Sequence, residues 1–174
     1  LLLIQGVSLM KVDISDIITI NGACLKIDWT GGPPEREPVE GCTIEGDVIF
    51  SGTLTNNSGI LHLDGWLEAA YKSACYRCLG EVRGALRLRI KEDFSGSADS
   101  EQNDMYLFEG KKLDISRALN DNIILNLPMK HLCSEQCRGL CSSCGANLNE
   151  VRCGCSGDSI DPRMEGLRSF FEKS

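Results

Sequence analysis

The stretch VRGALRLRI, residues 82–90, alternates apolar and polar positions along its whole length. Successive side chains of a β-strand point to opposite faces, so a period of two buries one set and leaves the other in solvent. The stretch therefore predicts a half-buried strand of an antiparallel sheet. Its inner set is Val82, Gly84, Leu86, Leu88 and Ile90, and its outer set is Arg83, Ala85, Arg87, Arg89 and Lys91.

The segments before this strand also predict extended structure. The runs TIEGDVIFSGTLT and GILHLDGWLEAAY flank NNSG, residues 56–59, which is a hairpin-type turn signal. The Pro- and Gly-rich segment from Thr30 to Gly41 predicts a loop, as does the polar segment from Ser95 to Asp104. Several strands joined by short turns favour an antiparallel sheet or partial barrel.

Two later segments predict helices. In LDISRALNDNIILNLP, residues 113–128, Asp114 is a candidate cap and Pro128 stops continuation, and one face carries Ile115, Leu119 and Ile123. In DPRMEGLRSFFEKS, residues 161–174, Asp161 and Pro162 begin a helix whose apolar stripe is Met164, Leu167, Phe170 and Phe171. We interpret this stripe as a packing surface on the sheet rather than as a groove for a partner.

The cysteines concentrate near the carboxyl end. Six of the ten lie in HLCSEQCRGLCSSCGANLNEVRCGC, residues 131–155. CSSCG, residues 141–145, has the form of a zinc knuckle, in which two thiolates converge and a glycine permits the positive φ of the turn. The knuckle predicts a closed, structural site of four sulfurs around zinc. Spacing leaves the other two ligands open among Cys133, Cys137, Cys153 and Cys155; Cys137 with Cys155 or Cys153 is the preferred pair.

CYRC, residues 75–78, is a second C-x-x-C motif. With Cys75 and Cys78 the chain offers eight thiols, enough for two four-cysteine sites. A redox motif lowers the pKa of its thiol at a helix N-terminus, whereas this one lies between two strand-like runs, which disfavours redox catalysis. Cys24 and Cys42 stand apart and are expected to pack as small apolar groups. His131, two residues before Cys133, could be a ligand, but with six thiols nearby it is expected to be a surface residue. His62 lies within a predicted strand and is expected to have no functional role.

Composition bounds the function. The 174 residues fit one domain or one with an appendage, and a net charge of −7 argues against a protein coated in nucleic acid. No apolar run approaches the roughly 20 residues of a membrane span, and the opening LLLIQGVSL has no basic flank like that of a signal peptide. We therefore expect a cytoplasmic protein, in a compartment where stable disulfides are rare. No Ser-His-Asp set, phosphate-binding loop or H-E-x-x-H motif is present, so we expect no enzyme and no small-molecule substrate.

One local charge pattern stands out against this acidity. Residues 71–95 hold six basic and three acidic side chains. On the outer face of the predicted strand, successive positions recur at roughly 6.6–6.8 Å, twice the rise per residue, and all but Ala85 are basic, a repeat suited to a phosphate backbone. The alternative is an ordinary solvated face. The predicted RNA-binding residues are Arg83, Arg87, Arg89 and Lys91.

The motifs taken together resemble a known family. CYRCLGEV, then LDISRALNDNIILNLPMKHLCSEQCRGLCSSCGANLNEVRCGC, then IDPRMEGLRSF follow the order found in the YceD family of large ribosomal RNA subunit accumulation proteins. The resemblance implies a cytoplasmic bacterial factor that is needed for normal levels of large-subunit ribosomal RNA and has no established enzymatic activity. It also maps the family's cysteine pairs onto Cys75 and Cys78 and the C-terminal cluster onto the six cysteines from Cys133 to Cys155.

The expectation is therefore an α+β fold, mainly an antiparallel sheet or partial barrel, with C-terminal helices and a Cys-rich zinc-knuckle segment. Residues 1–128 form the β domain with one helix, and residues 129–174 form the knuckle region with a C-terminal helix. The favoured function is a non-catalytic ribosome-assembly factor that binds ribosomal RNA, a large-subunit ribosomal protein or the pre-ribosome. The alternatives are a thiol-redox or metal-dependent enzyme that uses the C-x-x-C motifs, and a scaffold that contacts only proteins.

Overall fold

A computed structural model of the chain describes residues 10–33, 38, 40–96 and 105–155. Within them lie seven strands and one helix. None of the helical structure there is long and apolar enough to span a bilayer. In chain order the elements are β1 (Lys11–Asp13), β2 (Cys24–Gly31), β3 (Cys42–Asn57), β4 (Ile60–Ala74), β5 (Glu81–Ser95), β6 (Tyr106–Leu107), β7 (Lys112–Asp114) and α1 (Ser116–Asn126).

The main sheet has the order β2-β3-β4-β5-β6, and β1 pairs with β7 in a small second sheet. All pairs are antiparallel except β5 with β6. The mainly antiparallel prediction is confirmed. In the described part of the chain the main sheet is open, with β2 and β6 as its edges, so the partial barrel is not observed. The second predicted helix, residues 161–174, lies outside the described residues.

Local sequence accounts for the central hairpin. Ser58 and Gly59, both with positive φ, form the two-residue turn between β3 and β4, as NNSG predicts. Along β5 the alternation predicted from residues 82–90 is observed, since Leu86, Ile90 and Phe94 are buried. The inner faces of the three long strands build one core with α1.

The helix α1 covers this core with the predicted face. Ile115, Leu119 and Ile123 are all buried. Asp114 does not occupy the cap position, which is held by Ile115, but its carboxylate accepts a hydrogen bond from the N–H of Ser116 at 2.9 Å. Leu127 is extended, the conformation that a following proline favours, so the helix ends where it was expected to end.

Two sequence expectations are wrong in detail. The loop predicted from Thr30 begins later, because Thr30 and Gly31 pair with Ile49 and Val48 and prolong β2. Cys24 is exposed rather than packed, because it lies on the outer face of the edge strand β2, whereas Cys42 is buried as expected.

Candidate metal centres

The first C-x-x-C motif forms the connection between the paired strands β4 and β5. β4 ends at Ala74, β5 begins at Glu81, and Cys75 to Gly80 join them. The N–H of Cys75 donates to the carbonyl of Gly80 at 2.7 Å, and the N–H of Leu79 donates to the carbonyl of Cys75 at 2.9 Å. Leu79 takes a φ of 58°, an uncommon conformation for a residue with a side chain. A tight knuckle thus replaces a hairpin turn.

The second C-x-x-C motif repeats these contacts residue for residue. The N–H of Cys141 donates to the carbonyl of Ala146 at 2.8 Å, and the N–H of Gly145 donates to the carbonyl of Cys141 at 2.9 Å. Gly145 has a φ of 73° and stands where Leu79 stands in the first motif. The same backbone turn therefore presents two sulfurs at each place, once with the glycine that the turn favours and once without it.

Eight of the ten cysteines gather into two groups of four. In each group all Sγ atoms lie within 4.8 Å of one another. The hairpin cluster consists of Cys75, Cys78, Cys133 and Cys137, and the loop cluster consists of Cys141, Cys144, Cys153 and Cys155.

Sulfur separations in the hairpin cluster fit a tetrahedral metal ion. The Sγ atoms of Cys75 and Cys137 are 3.8 Å apart, and those of Cys78 and Cys133 are 3.6 Å apart. Four bonds of about 2.3 Å at tetrahedral angles, the geometry of zinc thiolates, require separations of about 3.8 Å. Each cluster thus offers a complete four-sulfur set that could bind a metal ion.

The clusters divide the predicted ligands in a way that spacing did not indicate. Cys137, the preferred partner of Cys141 and Cys144, lies in the hairpin cluster together with Cys133. Cys153 and Cys155 both join the second knuckle in the loop cluster. The hairpin cluster also takes two cysteines from each side of residue 128, where the sequence suggested a domain boundary.

Backbone donors favour the thiolate form that binds metals. The N–H of Cys133, and after it the N–H of Cys78, lower the pKa of Cys75 to about 6. The N–H groups of Cys144 and Ser143 lower the pKa of Cys141 to about 6. A thiolate with such donors is stabilised before any cation arrives.

Crowding among the sulfurs acts in the opposite direction. Contact with Cys137 and Cys78 raises the pKa of Cys133 to about 12, and contact with Cys144 and Cys141 raises that of Cys155 to about 12. Four thiolates cannot crowd together unless a cation neutralises them, and a coordinated cation deprotonates such thiols. The arrangement suits a metal ion better than a redox pair.

Two side chains that the sequence gave no reason to select join the clusters. Arg77 donates from Nη1 to the carbonyl of Cys137 at 2.9 Å, and its own carbonyl accepts the N–H of Leu140 at 3.0 Å. The amide Nδ2 of Asn149 donates to Sγ of Cys137 at 3.2 Å, while its Oδ1 accepts the N–H of Arg138 at 2.8 Å. Asn149 belongs to the loop between the second knuckle and Cys153, so it links the two clusters.

Asn149→Asp should weaken metal binding at the hairpin cluster roughly 10–100-fold, the usual effect of losing a hydrogen bond to a ligand atom. The substitution removes the N–H donor and puts a negative charge beside the sulfur of Cys137. Competition with a chromogenic chelator measures the affinity. The neighbouring exposed side chain of Gln136 supplies the control, and Gln136→Ala should leave the affinity unchanged. Equal affinities for both variants would remove Asn149 from the site.

The histidines lie outside both clusters. His62 Nδ1 is 2.5 Å from Asp93 Oδ1 on the outer face of the sheet. His131 packs its ring against Tyr71 with centroids 5.2 Å apart, and within the described structure its buried Nδ1 has no hydrogen-bond partner. His131 is therefore half-buried rather than a surface residue.

The predicted RNA-binding side chains all lie on the outer face of β5, but carboxylates accompany them. Arg83 lies 2.9 Å from Glu81, Arg87 lies 3.3 Å from Glu68 and Arg89 lies 2.9 Å from Asp64; Lys91 is opposite Asp64 in the register. The hydrogen bond from Arg89 lowers the pKa of the Asp64 carboxyl. The cations are thus locally balanced, although the arginine side chains stay 53–72% exposed.

An aromatic side chain shares this face. Trp66 is 48% exposed, and the Arg87 guanidinium lies 5.3 Å from its ring centroid. Its alternation with Leu67 in β4 marks it as outward-facing, a signal that the sequence carried. The face therefore combines a stacking surface with cations, two features shared by many RNA-binding sheets.

Comparison with known proteins finds a family whose match includes both cysteine clusters. A family model described as large ribosomal RNA subunit accumulation protein YceD matches residues 63–171. An uncharacterised protein of Mycobacterium tuberculosis is 28% identical over 166 residues, which cover 91% of this chain and 79% of the relative. A Zea mays protein named large ribosomal RNA subunit accumulation protein YCED homolog 1, chloroplastic, is 28% identical over 84% of this chain and 57% of its own length. The Arabidopsis thaliana protein of the same name is 38% identical over 37% of this chain and 20% of its own. No solved structure matches the chain.

Proposed function

The chain belongs to the YceD family, and we propose that it is a zinc-stabilised, non-catalytic factor required for the accumulation of large-subunit ribosomal RNA. The match over residues 63–171 carries the proposal, because that span contains most of β4, all of β5 and α1, and both cysteine clusters. We propose a cytoplasmic location, since a reducing compartment keeps these thiols available to a metal.

Zinc is the proposed ion because four cysteine thiolates in a tetrahedron form its usual structural site. A closed set of four sulfurs leaves no position for a water or a substrate, which supports a structural rather than a catalytic role. The proposed ligands are the four members of the hairpin cluster and the four members of the loop cluster.

The proposed contact with the pre-ribosome is the outer face of β4 and β5. Trp66 offers a surface on which an unpaired base stacks, and Arg83, Arg87, Arg89 and Lys91 offer cations to the adjoining phosphates. Exposed ion pairs contribute little to stability, roughly 0–1 kcal/mol each, so the arginines are able to exchange a carboxylate for a phosphate. We therefore place ribosomal RNA first among the partners.

The variant Trp66→Ala with Arg87→Ala should lower co-sedimentation with large-subunit precursors at least about tenfold, since one stacked base contributes roughly 1–3 kcal/mol. Both side chains are exposed, so the melting temperature should barely change. Lys26→Ala supplies the control, because Lys26 is an exposed cation on β2 at the far edge of the sheet. Co-sedimentation of the double variant at the unsubstituted level would exclude this face.

Charge balance supports a second candidate, a scaffold that binds a ribosomal protein on the same face. Arg83, Arg87 and Arg89 all have carboxylate neighbours, so the face resembles the polar rim of a protein interface. The salt dependence of binding distinguishes the RNA-binding candidate from the scaffold candidate. Binding to RNA should weaken steeply between 50 and 200 mM salt, as phosphate contacts do. A shallow dependence with the ribosomal protein alone would favour the scaffold.

A further inference from the structure

An apolar groove lies between the hairpin knuckle and the end of α1. Its volume is about 600 Å³, and apolar lining predominates. Tyr76 and Leu79 of the knuckle form one wall, and Ile124, Leu127 and Met129 form the other. None of the residues that line the groove belongs to the proposed RNA-binding face.

The walls of the groove are unusually open to solvent. Tyr76 is 70% exposed, Leu79 is 68% exposed and Met129 is 96% exposed. Single exposed apolar side chains are common, but a contiguous group that lines a concave surface is typical of a binding site.

We propose that the groove binds the carboxyl-terminal segment of the same chain, residues 161–174, through the side chains of Met164, Leu167, Phe170 and Phe171. These four recur at helical spacing, so one face of the segment is apolar. The opposite face carries Glu165, Ser169 and Lys173. An amphipathic helix in an apolar groove is a common recognition mode.

The connection has the required reach. The described chain ends at Cys155 in the loop cluster, whose knuckle is hydrogen-bonded to Arg77 through Leu140. Arg77 lies between Tyr76 and Leu79 in the chain. The loop cluster, which ends at Cys155, is therefore attached to the knuckle that forms one wall of the groove. The six steps from Cys155 to residue 161 span up to about 20 Å, and a helix of the following 14 residues is about 21 Å long. The segment is therefore long enough to cross the groove, and its attachment through the loop cluster and Arg77 allows it to reach the groove.

Hydrogen exchange in the full-length protein tests the proposal. The amides of Tyr76, Leu79 and Leu127 are suitable reporters, since each donates a backbone hydrogen bond at the groove. Leu167→Asp should raise their exchange rates roughly tenfold by releasing the segment. Ser169→Asp introduces the same side chain on the opposite face of the segment and should leave the rates unchanged.

A reciprocal substitution tests the groove itself. Met129→Asp should raise the exchange of the Tyr76 amide to the same extent, whereas Leu125→Asp should not, because Leu125 is 81% exposed but does not line the groove. The unsubstituted protein and the Leu167→Asp variant are also examined by sedimentation at several concentrations. Unchanged exchange with Leu167→Asp would overturn the proposal. Protection that disappears on dilution as a dimer dissociates would also overturn it and assign the segment to a second copy. Because neither readout involves ribosomal components, failure here is separate from failure of the proposed function.

Discussion

Replacement of Cys75 by serine is expected to remove one of the two proposed zinc ions and to destabilise the whole sheet by at least about 3 kcal/mol, because structural zinc contributes on the order of 10 kcal/mol to the folding of its site. Cys75 is fully buried and directly follows β4, so the hairpin cluster determines how the chain returns into β5. Without the metal ion, the remaining thiols leave the connection between these strands without a fixed geometry. Elemental analysis with urea denaturation measures both effects.

Cys141→Ser is the informative comparison. It should also remove one zinc ion, yet the free energy of unfolding of the sheet should fall by less than about 1 kcal/mol, since the loop cluster is formed entirely by residues beyond α1. Cys24→Ser is the control, because Cys24 is exposed and belongs to neither cluster. Two zinc ions retained in Cys75→Ser, or equal destabilisation by Cys75→Ser and Cys141→Ser, would contradict this division of roles.

The sequence predicted those features that depend on local pattern. The period of two in residues 82–90 and the turn signal at residues 56–59 predicted β5 and the preceding hairpin, because side-chain alternation and turn conformation are set within a few residues. The knuckle at Cys141 and Cys144 was likewise visible. The buried face of α1 followed from the spacing of Ile115, Leu119 and Ile123.

Partners that come from distant parts of the chain were not predictable. The hairpin cluster joins Cys75 to Cys137, 62 residues away, and no spacing rule selects Cys153 over Cys137 for the second knuckle. The prediction of the charge on the outer face was incomplete for the same reason. Residues 82–90 suggested a uniformly basic surface, but the carboxylates of Glu68 and Asp64 come from β4, and only the strand register reveals that they stand beside Arg87 and Arg89.

The register also explains a constraint in the core that sequence patterns do not convey. Gly52 of β3 pairs with Gly65 of β4, and the fully buried ring of Phe50 lies beside both. A Cβ atom on Gly65 would lie 2.6 Å from the carbonyl oxygen of Ser51 and 2.7 Å from the Phe50 ring. The ring occupies the space that side chains at these two positions would need, so this part of the core depends on both glycines.

Gly65→Val should therefore destabilise the protein by about 3 kcal/mol, near the upper end of the usual cost of overpacking. Gly32→Val is the matched control, since a Cβ at Gly32 has no atom within 4 Å and should change stability little. Adding Phe50→Leu to Gly65→Ala tests whether the Phe50 ring or the backbone causes the loss of stability. It relieves the conflict with the ring but not the 2.6 Å approach to the backbone oxygen, so less than half of the stability lost in Gly65→Ala should return. Full recovery would show that the ring alone excludes a side chain there, whereas no loss in Gly65→Ala would mean that the two strands separate without cost.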